Sequence, residues 1–207
     1  MPLVYQQNIN EHTQIGLWQI TENEDFFLEK VPLQQSIRHP HKRLQHLAGR
    51  YLLKILVPEI PLESIQIADT KKPFIPDEPY HFSISHAGDF AAVIISSSQR
   101  VGVDIEAAQQ KIMRIKDKYL TEQEIAVLME VNSYPELLLT MAWSIKESLF
   151  KWNAKPGIDF KKHLCIRQLE LKDEIFSAQA ELRQTHPVAL QVTGRLFETL
   201  CLCWVIG

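Results

Sequence analysis

Residues 101–106 read Val101-Gly102-Val103-Asp104-Ile105-Glu106. The alternation predicts a strand, with Val101, Val103 and Ile105 on one face and Gly102, Asp104 and Glu106 on the other. Its two carboxylates then lie about 7 Å apart along the backbone, close enough to meet one ion. Gly102 carries no side chain, so a ligand or another stretch of backbone can approach beside Asp104. A solvated pair of acids at a sheet edge is the plainer alternative.

This strand stands near the middle of a chain of 207 residues, and the order of elements starts over there. Before it, a strand is predicted near 16–20, and Thr21-Glu-Asn-Glu reads as an N-cap with an acidic first turn opening a helix over 22–30. Leu44, Leu47, Ala48, Tyr51, Leu52 and Ile55 recur at steps of three and four, so 40–57 is an amphipathic helix that Pro58 and Pro61 end. Strands follow near 64–69, 81–85 and 90–96, with a Pro-rich connection over 71–79. After it come a capping-box start at Thr121-Glu-Gln-Glu, a long helix over 135–152, and strands near 163–171, 175–183, 188–195 and 197–206. The expected fold is α+β: a pseudo-duplicated pair of similar α/β subdomains, each a mainly antiparallel sheet packed with a long helix. The division falls at 1–100 and 101–207.

Composition narrows the function classes. Lys+Arg 22 against Asp+Glu 25 gives a net charge of −3, without the global basic field of nucleic-acid binders. Neither Gly-rich phosphate cradle, GxxxxGK[ST] or GxGxxG, occurs. The N-terminal stretch has no basic region followed by an apolar one, and no apolar run reaches membrane-spanning length. A cytoplasmic protein with no membrane and no nucleic-acid partner is expected. The 3 cysteines show no metal-type pairing and suit a reducing compartment.

Three further segments carry chemistry. The helix Trp143-Ser-Ile-Lys146-Glu147-Ser-Leu-Phe150-Lys151-Trp152 is apolar almost all round, yet sets Trp143, Glu147 and Lys151 on one face with Lys146 alongside. A Glu–Lys helix pair contributes only about 0.2–0.5 kcal/mol, too little to account for burying such charges. A metal and an anionic ligand would account for them, as would a partly exposed salt-bridged face. His81-Phe82-Ser83-Ile84-Ser85-His86 ends a strand in small hydroxyl residues and a histidine. Arg43, His46, Arg50 and Lys54 form a basic stripe, either a solvated face or a phosphate-binding one.

Together with Lys71-Lys72-Pro73, these segments resemble, in order, the G-K-P, F-[NS]-x-S-H, [VI]-G-[VI]-D-x-E and W-[ST]-x-K-E-[AS]-x-x-K motifs of the surfactin-synthetase-activating type of 4′-phosphopantetheinyl transferase. The likeness covers about 70–152. Lys71 departs from it, standing where the family commonly has Gly. The resemblance implies transfer of the 4′-phosphopantetheine arm of coenzyme A to a serine of an apo acyl or peptidyl carrier protein, releasing adenosine 3′,5′-bisphosphate. It implies Mg²⁺, or Mn²⁺, on Asp104, Glu106 and Glu147, with Glu147 and Lys151 catalytic. It implies coenzyme A contacts from His86, Lys72, Lys146, Lys151, Arg43 and Arg50, so that 1–100 supplies phosphate contacts and 101–207 the metal site. Residues 111–118 carry net +3 from four bases and one acid. Here Met113, Arg114 and Lys116 are expected to dock the acidic carrier. A monomer is expected. The alternatives are a non-catalytic carrier-binding paralogue and a metal-dependent phosphodiesterase or nuclease.

Overall fold

The computed structural model describes residues 2–198 and 200–207. Met1, in the 1–100 half, and Thr199, inside the strand expected over 197–206, lie outside the described residues. The chain divides into two compact units, the first ending at Val101 and the second running from Gly102 to Gly207.

In the first unit, β1 (Leu3–Asn10) and β2 (Thr13–Gln19) form a hairpin, followed by α1 (Glu24–Leu28) and α2 (Pro40–Leu56). A short 3₁₀ turn, the two-residue strands β3 (Gln66–Ile67) and β4 (Pro73–Phe74), and the hairpin β5 (His81–Ala87), β6 (Phe90–Ser96) complete it. The main sheet has the order β1-β2-β6-β5, antiparallel throughout. Central β6 is buried along nearly its whole length, so Phe-Ala-Ala-Val-Ile-Ile-Ser is a continuous apolar run and not an alternating one. Leu47, Ala48, Leu52 and Leu53 of α2 are buried in the core with Ala91, Val93 and Ile95 of β6.

Two starts differ from the sequence expectation. The α1 cap is Asn23, whose side chain accepts from the Phe26 amide at 3.1 Å, and not Thr21. Glu22 is diverted to bond the Trp18 indole and the Thr21 amide, both at 3.2 Å, which shortens the helix. Strand β1 has no counterpart among the predicted elements. It is a mostly exposed edge strand, so nothing forces an apolar alternation on Leu-Val-Tyr-Gln-Gln-Asn-Ile-Asn.

The second unit contains β7 (Val101–Ala107), α3 (Gln110–Arg114), α4 (Lys116–Tyr119), α5 (Glu122–Met129), α6 (Pro135–Asn153), α7 (Phe160–His163) and the strands β8 (Leu164–Lys172), β9 (Ile175–Leu182), β10 (Val188–Phe197) and β11 (Leu200–Ile206). The sheet order is β7-β11-β10-β9-β8. Helix α6 crosses this sheet with Met141, Ala142, Ile145 and Leu149 wholly buried. Both units share one connectivity: the strand before the long helix lies beside the unit's last strand, which pairs with the one preceding it. That is β2, α2, β5, β6 in the first and β7, α6, β10, β11 in the second. The protein is therefore an α+β pair of similar units, alike in topology where no sequence repeat is visible.

Candidate active site

Strand β7 and helix α6 lie in close backbone contact at Gly102. A Cβ built there would stand 2.1 Å from the Ser148 carbonyl oxygen and 2.7 Å from the Trp152 amide nitrogen. The space beside Asp104 that the sequence left to a ligand or to backbone is filled by helix backbone. Two strand residues advance about 6.6 Å and one helical turn about 5.4 Å, so alternate residues of β7 meet successive turns of α6. Gly102 lies at Ser148 and Trp152, Asp104 at Ser144 and Lys151, Glu106 at Trp143.

Contacts at this crossing are short and directed. Lys151 Nζ is 2.7 Å from Asp104 Oδ1, and Ser144 Oγ donates to Asp104 Oδ2 at 2.9 Å. Trp143 Nε1 donates to Glu106 Oε1 at 3.1 Å. Asp104 is only 2% exposed. Burial, and next the charge of Asp104, push both Glu106 and Glu147 up to about 7. Lys151 pulls each back, joined at Glu106 by the Trp143 hydrogen bond, while Glu147 adds repulsion to Glu106. Three carboxylates thus share one neighbourhood with one ammonium, an excess of buried negative charge. Their hard oxygens suit Mg²⁺ or Mn²⁺ in kind, whereas zinc would favour sulfur and imidazole. As the side chains stand, no three carboxylate, imidazole or thiol groups among the described residues converge into a closed metal cage.

Lys146 is a structural ion-pair partner and not the coenzyme A contact expected from the sequence. It is 0% exposed and pairs at 2.6 Å with Glu124, the capping-box residue of α5. Its remaining donors go to the carbonyls of Tyr119 and Phe160. Glu124 in turn accepts from the Thr121 amide at 2.8 Å and the Ile166 amide at 3.0 Å. All three ammonium protons are used inside the core, so Lys146 joins α4, α5, α6, α7 and β8 and reaches no cofactor.

The basic stripe of the first unit also divides. Arg43 grips Glu24 through Nε at 2.6 Å and Nη2 at 2.7 Å and bonds the Ile37 carbonyl, which commits it to α1 and the following loop instead of to a phosphate. Arg50 is 4% exposed, with Nη1 3.1 Å from His46 Nδ1 and its buried Nε without a hydrogen-bond partner. Burial pulls Arg50 down to about 10, and burial with the Arg50 charge pulls His46 down to about 4. His86 lies on β5 against the same helix turn: a Cβ at Gly49 would be 3.2 Å from its Nε2 and 2.8 Å from Ile84 Cγ2, so Gly49 admits the strand. Lys72 follows the turn between β3 and β4, pulled down to about 8 by burial, then by Arg100, against Glu78. Lys71, standing where the family commonly has Gly, has φ 65, a conformation Gly adopts at least cost.

Met113, Arg114 and Lys116 are exposed on α3 and α4. Met113 and Lys116 border an apolar groove of about 150 Å³ that continues over Ile125, Met129, Pro135 and Leu138. Sequence reasoning set Trp143 on the charged face but gave neither it nor Ser144 a task. Their signal was adjacency to Lys146-Glu147, which becomes legible once the register of β7 on α6 is known.

Residues 100–193 match the model of the 4′-phosphopantetheinyl transferase superfamily. Enterobactin synthase component D of Salmonella typhi is 35% identical over 149 residues, covering 68% of this chain and 62% of that protein. A putative 4′-phosphopantetheinyl transferase of Haemophilus influenzae is 29% identical over 150 residues, 68% of this chain and 60% of that one. The 4′-phosphopantetheinyl transferase Sfp of Bacillus subtilis is 28% identical over 145 residues, 65% and 64% respectively. The matches span about six-tenths of the length of these relatives.

Proposed function

We propose, from its kinship with the 4′-phosphopantetheinyl transferase superfamily, that this chain is a transferase of the surfactin-synthetase-activating type. It moves the 4′-phosphopantetheine arm of coenzyme A to a serine of an apo acyl or peptidyl carrier protein. The observation that carries this reading is the junction of β7 and α6, where Lys151 meets Asp104 at 2.7 Å and Trp143 meets Glu106 at 3.1 Å. Two motifs some forty residues apart in the chain meet there, in a cluster rich in carboxylate.

Asp104, Glu106 and Glu147 would hold Mg²⁺, or Mn²⁺ in its place, and the ion would supply charge neutralisation for a pyrophosphate. The chain's own groups do the rest. Glu147 accepts the serine proton, and burial beside Asp104 favours a carboxylate able to take it near neutral pH. The serine oxygen forms a bond to the phosphopantetheine phosphorus as the bond to adenosine 3′,5′-bisphosphate breaks, and Lys151 pairs with the phosphate oxygens. His86, Lys72 and the buried Arg50 contact coenzyme A phosphates from the first unit. Arg43 and Lys146 take no part, being committed to Glu24 and Glu124. The apolar groove with Met113, Arg114 and Lys116 receives the acidic carrier.

Mass spectrometry of an apo carrier incubated with the protein, coenzyme A and Mg²⁺ tests the proposal. The carrier gains one phosphopantetheine with the wild type and none with Glu147→Ala, while charge reversal at Arg114 and Lys116 weakens carrier binding and spares coenzyme A binding. No gain over a panel of acyl and peptidyl carriers would refute the activity.

A further inference from the structure

We infer that Trp143 and Ser144 are positioning residues that fix the two carboxylates of β7 for a divalent cation; this rests on the metal-dependent reading above. The two donors are consecutive on α6, yet serve acceptors two residues apart on β7: Ser144 Oγ to Asp104 Oδ2 at 2.9 Å and Trp143 Nε1 to Glu106 Oε1 at 3.1 Å. Reach explains the pairing. The short hydroxyl serves the nearer carboxylate, the long indole the farther one.

Each donor is itself held. Ser144 is 0% exposed, so its hydroxyl is enclosed by packing on every side. The Trp143 ring stands edge-on to Tyr119 at 5.0 Å and tilted over Phe160 at 5.5 Å. A donor locked in this way orients its carboxylate before any ligand arrives. Both groups are neutral, and that distinguishes them from Lys151: they fix oxygen positions without cancelling the negative charge that a cation would meet. A lysine or arginine at either place would orient the carboxylate and discharge the cluster together.

Trp143→Phe keeps the ring contacts and removes the N–H; Ser144→Ala removes the hydroxyl, and Ser144→Thr restores it. Mn²⁺ binding to the protein without coenzyme A, read from the electron-paramagnetic resonance of free Mn²⁺, is measured beside thermal melting and beside the Mg²⁺ dependence of transfer. Expected are Mn²⁺ affinities about 10–100-fold weaker for Trp143→Phe and Ser144→Ala, with Ser144→Thr close to wild type. The Mg²⁺ concentration for half-maximal rate rises by the same factor, while kcat at saturating Mg²⁺ changes far less. Unchanged Mn²⁺ affinity in both Trp143→Phe and Ser144→Ala overturns the inference, as does a loss that Ser144→Thr shares. Should Trp143→Phe fail to fold, the Ser144 pair alone decides. Normal Mn²⁺ binding by a wild type that modifies no carrier would refute the transferase reading and leave this inference standing.

Discussion

Replacing Gly102 by alanine adds one methyl group where β7 lies directly against the backbone of α6. Its Cβ would lie 2.1 Å from the Ser148 carbonyl oxygen, where real Cβ contacts essentially never fall below 3.0 Å, and 2.7 Å from the Trp152 amide nitrogen. Both obstacles are main chain within a helix, so neither can swing aside as a side chain would. Strand and helix must part by about 0.9 Å to recover 3.0 Å against that oxygen. Overpacking costs about 1–3 kcal/mol, and a clash of backbone with backbone belongs at the upper end. At about 3 kcal/mol, melting falls by about 6–12 °C for a chain of this size. The same displacement opens the 2.7 Å contact between Lys151 and Asp104 and pulls Glu106 from Trp143. A misplacement of about 1 Å at reacting groups costs about 100-fold in rate. Melting followed by circular dichroism and transfer followed by carrier mass shift measure the two effects. Melting within about 2 °C of wild type, with transfer undiminished, would refute the close approach of β7 and α6 as the reason for glycine here.

Lys146→Met leaves Glu124 charged and unpaired in the core, at a cost of about 3–5 kcal/mol by urea unfolding. Adding Glu124→Gln, which removes the stranded charge and keeps cap acceptors, recovers part of it. Lys71→Gly relieves a left-handed lysine at φ 65 and should stabilise by about 0.5–1 kcal/mol; a loss would show that the turn wants the lysine side chain. His46 titrates at about 4 in the folded protein against 6.5 in the unfolded chain, so the unfolded state binds the extra proton between those values. Stability is full above 6.5 and falls as pH drops toward 4, by about 1–2 kcal/mol from this group once solvent screening is counted. Urea midpoints of His46→Gln that follow the wild-type pH slope unchanged would refute that assignment.

The sequence was most legible where periodicity and burial agree. Helix α2 and strand β6 follow patterns that the core enforces on Leu47, Leu52, Val93 and Ile95. Thr121 and Glu124 announce α5 because both halves of a capping box are local bonds. What periodicity does not encode is which partner a polar group finds. Arg43, His46 and Arg50 look alike on a helical wheel, yet Glu24 from another element takes Arg43, and packing buries Arg50 beside His46. Gly102 announced a close approach but not of what, since the answer lies some fifty residues ahead in α6.

The motif helix shows how far local geometry alone can reach. At about 100° per residue, Glu147, Lys151 and Ser144 fall within an arc of about 60°, with Trp143 about 40° beyond its edge. Lys146 lies about 140° from Lys151, on the side opposite the strand carboxylates. That angle turns it toward α5 and β8, where Glu124 waits at 2.6 Å. A motif written as Lys-Glu therefore joins two environments through one peptide bond: the glutamate joins the carboxylate cluster of Asp104 and Glu106, and the lysine ties down the helices packed around it. Loss of transfer in a Lys146 variant should accordingly track loss of folding, whereas loss of transfer in Glu147→Ala should not.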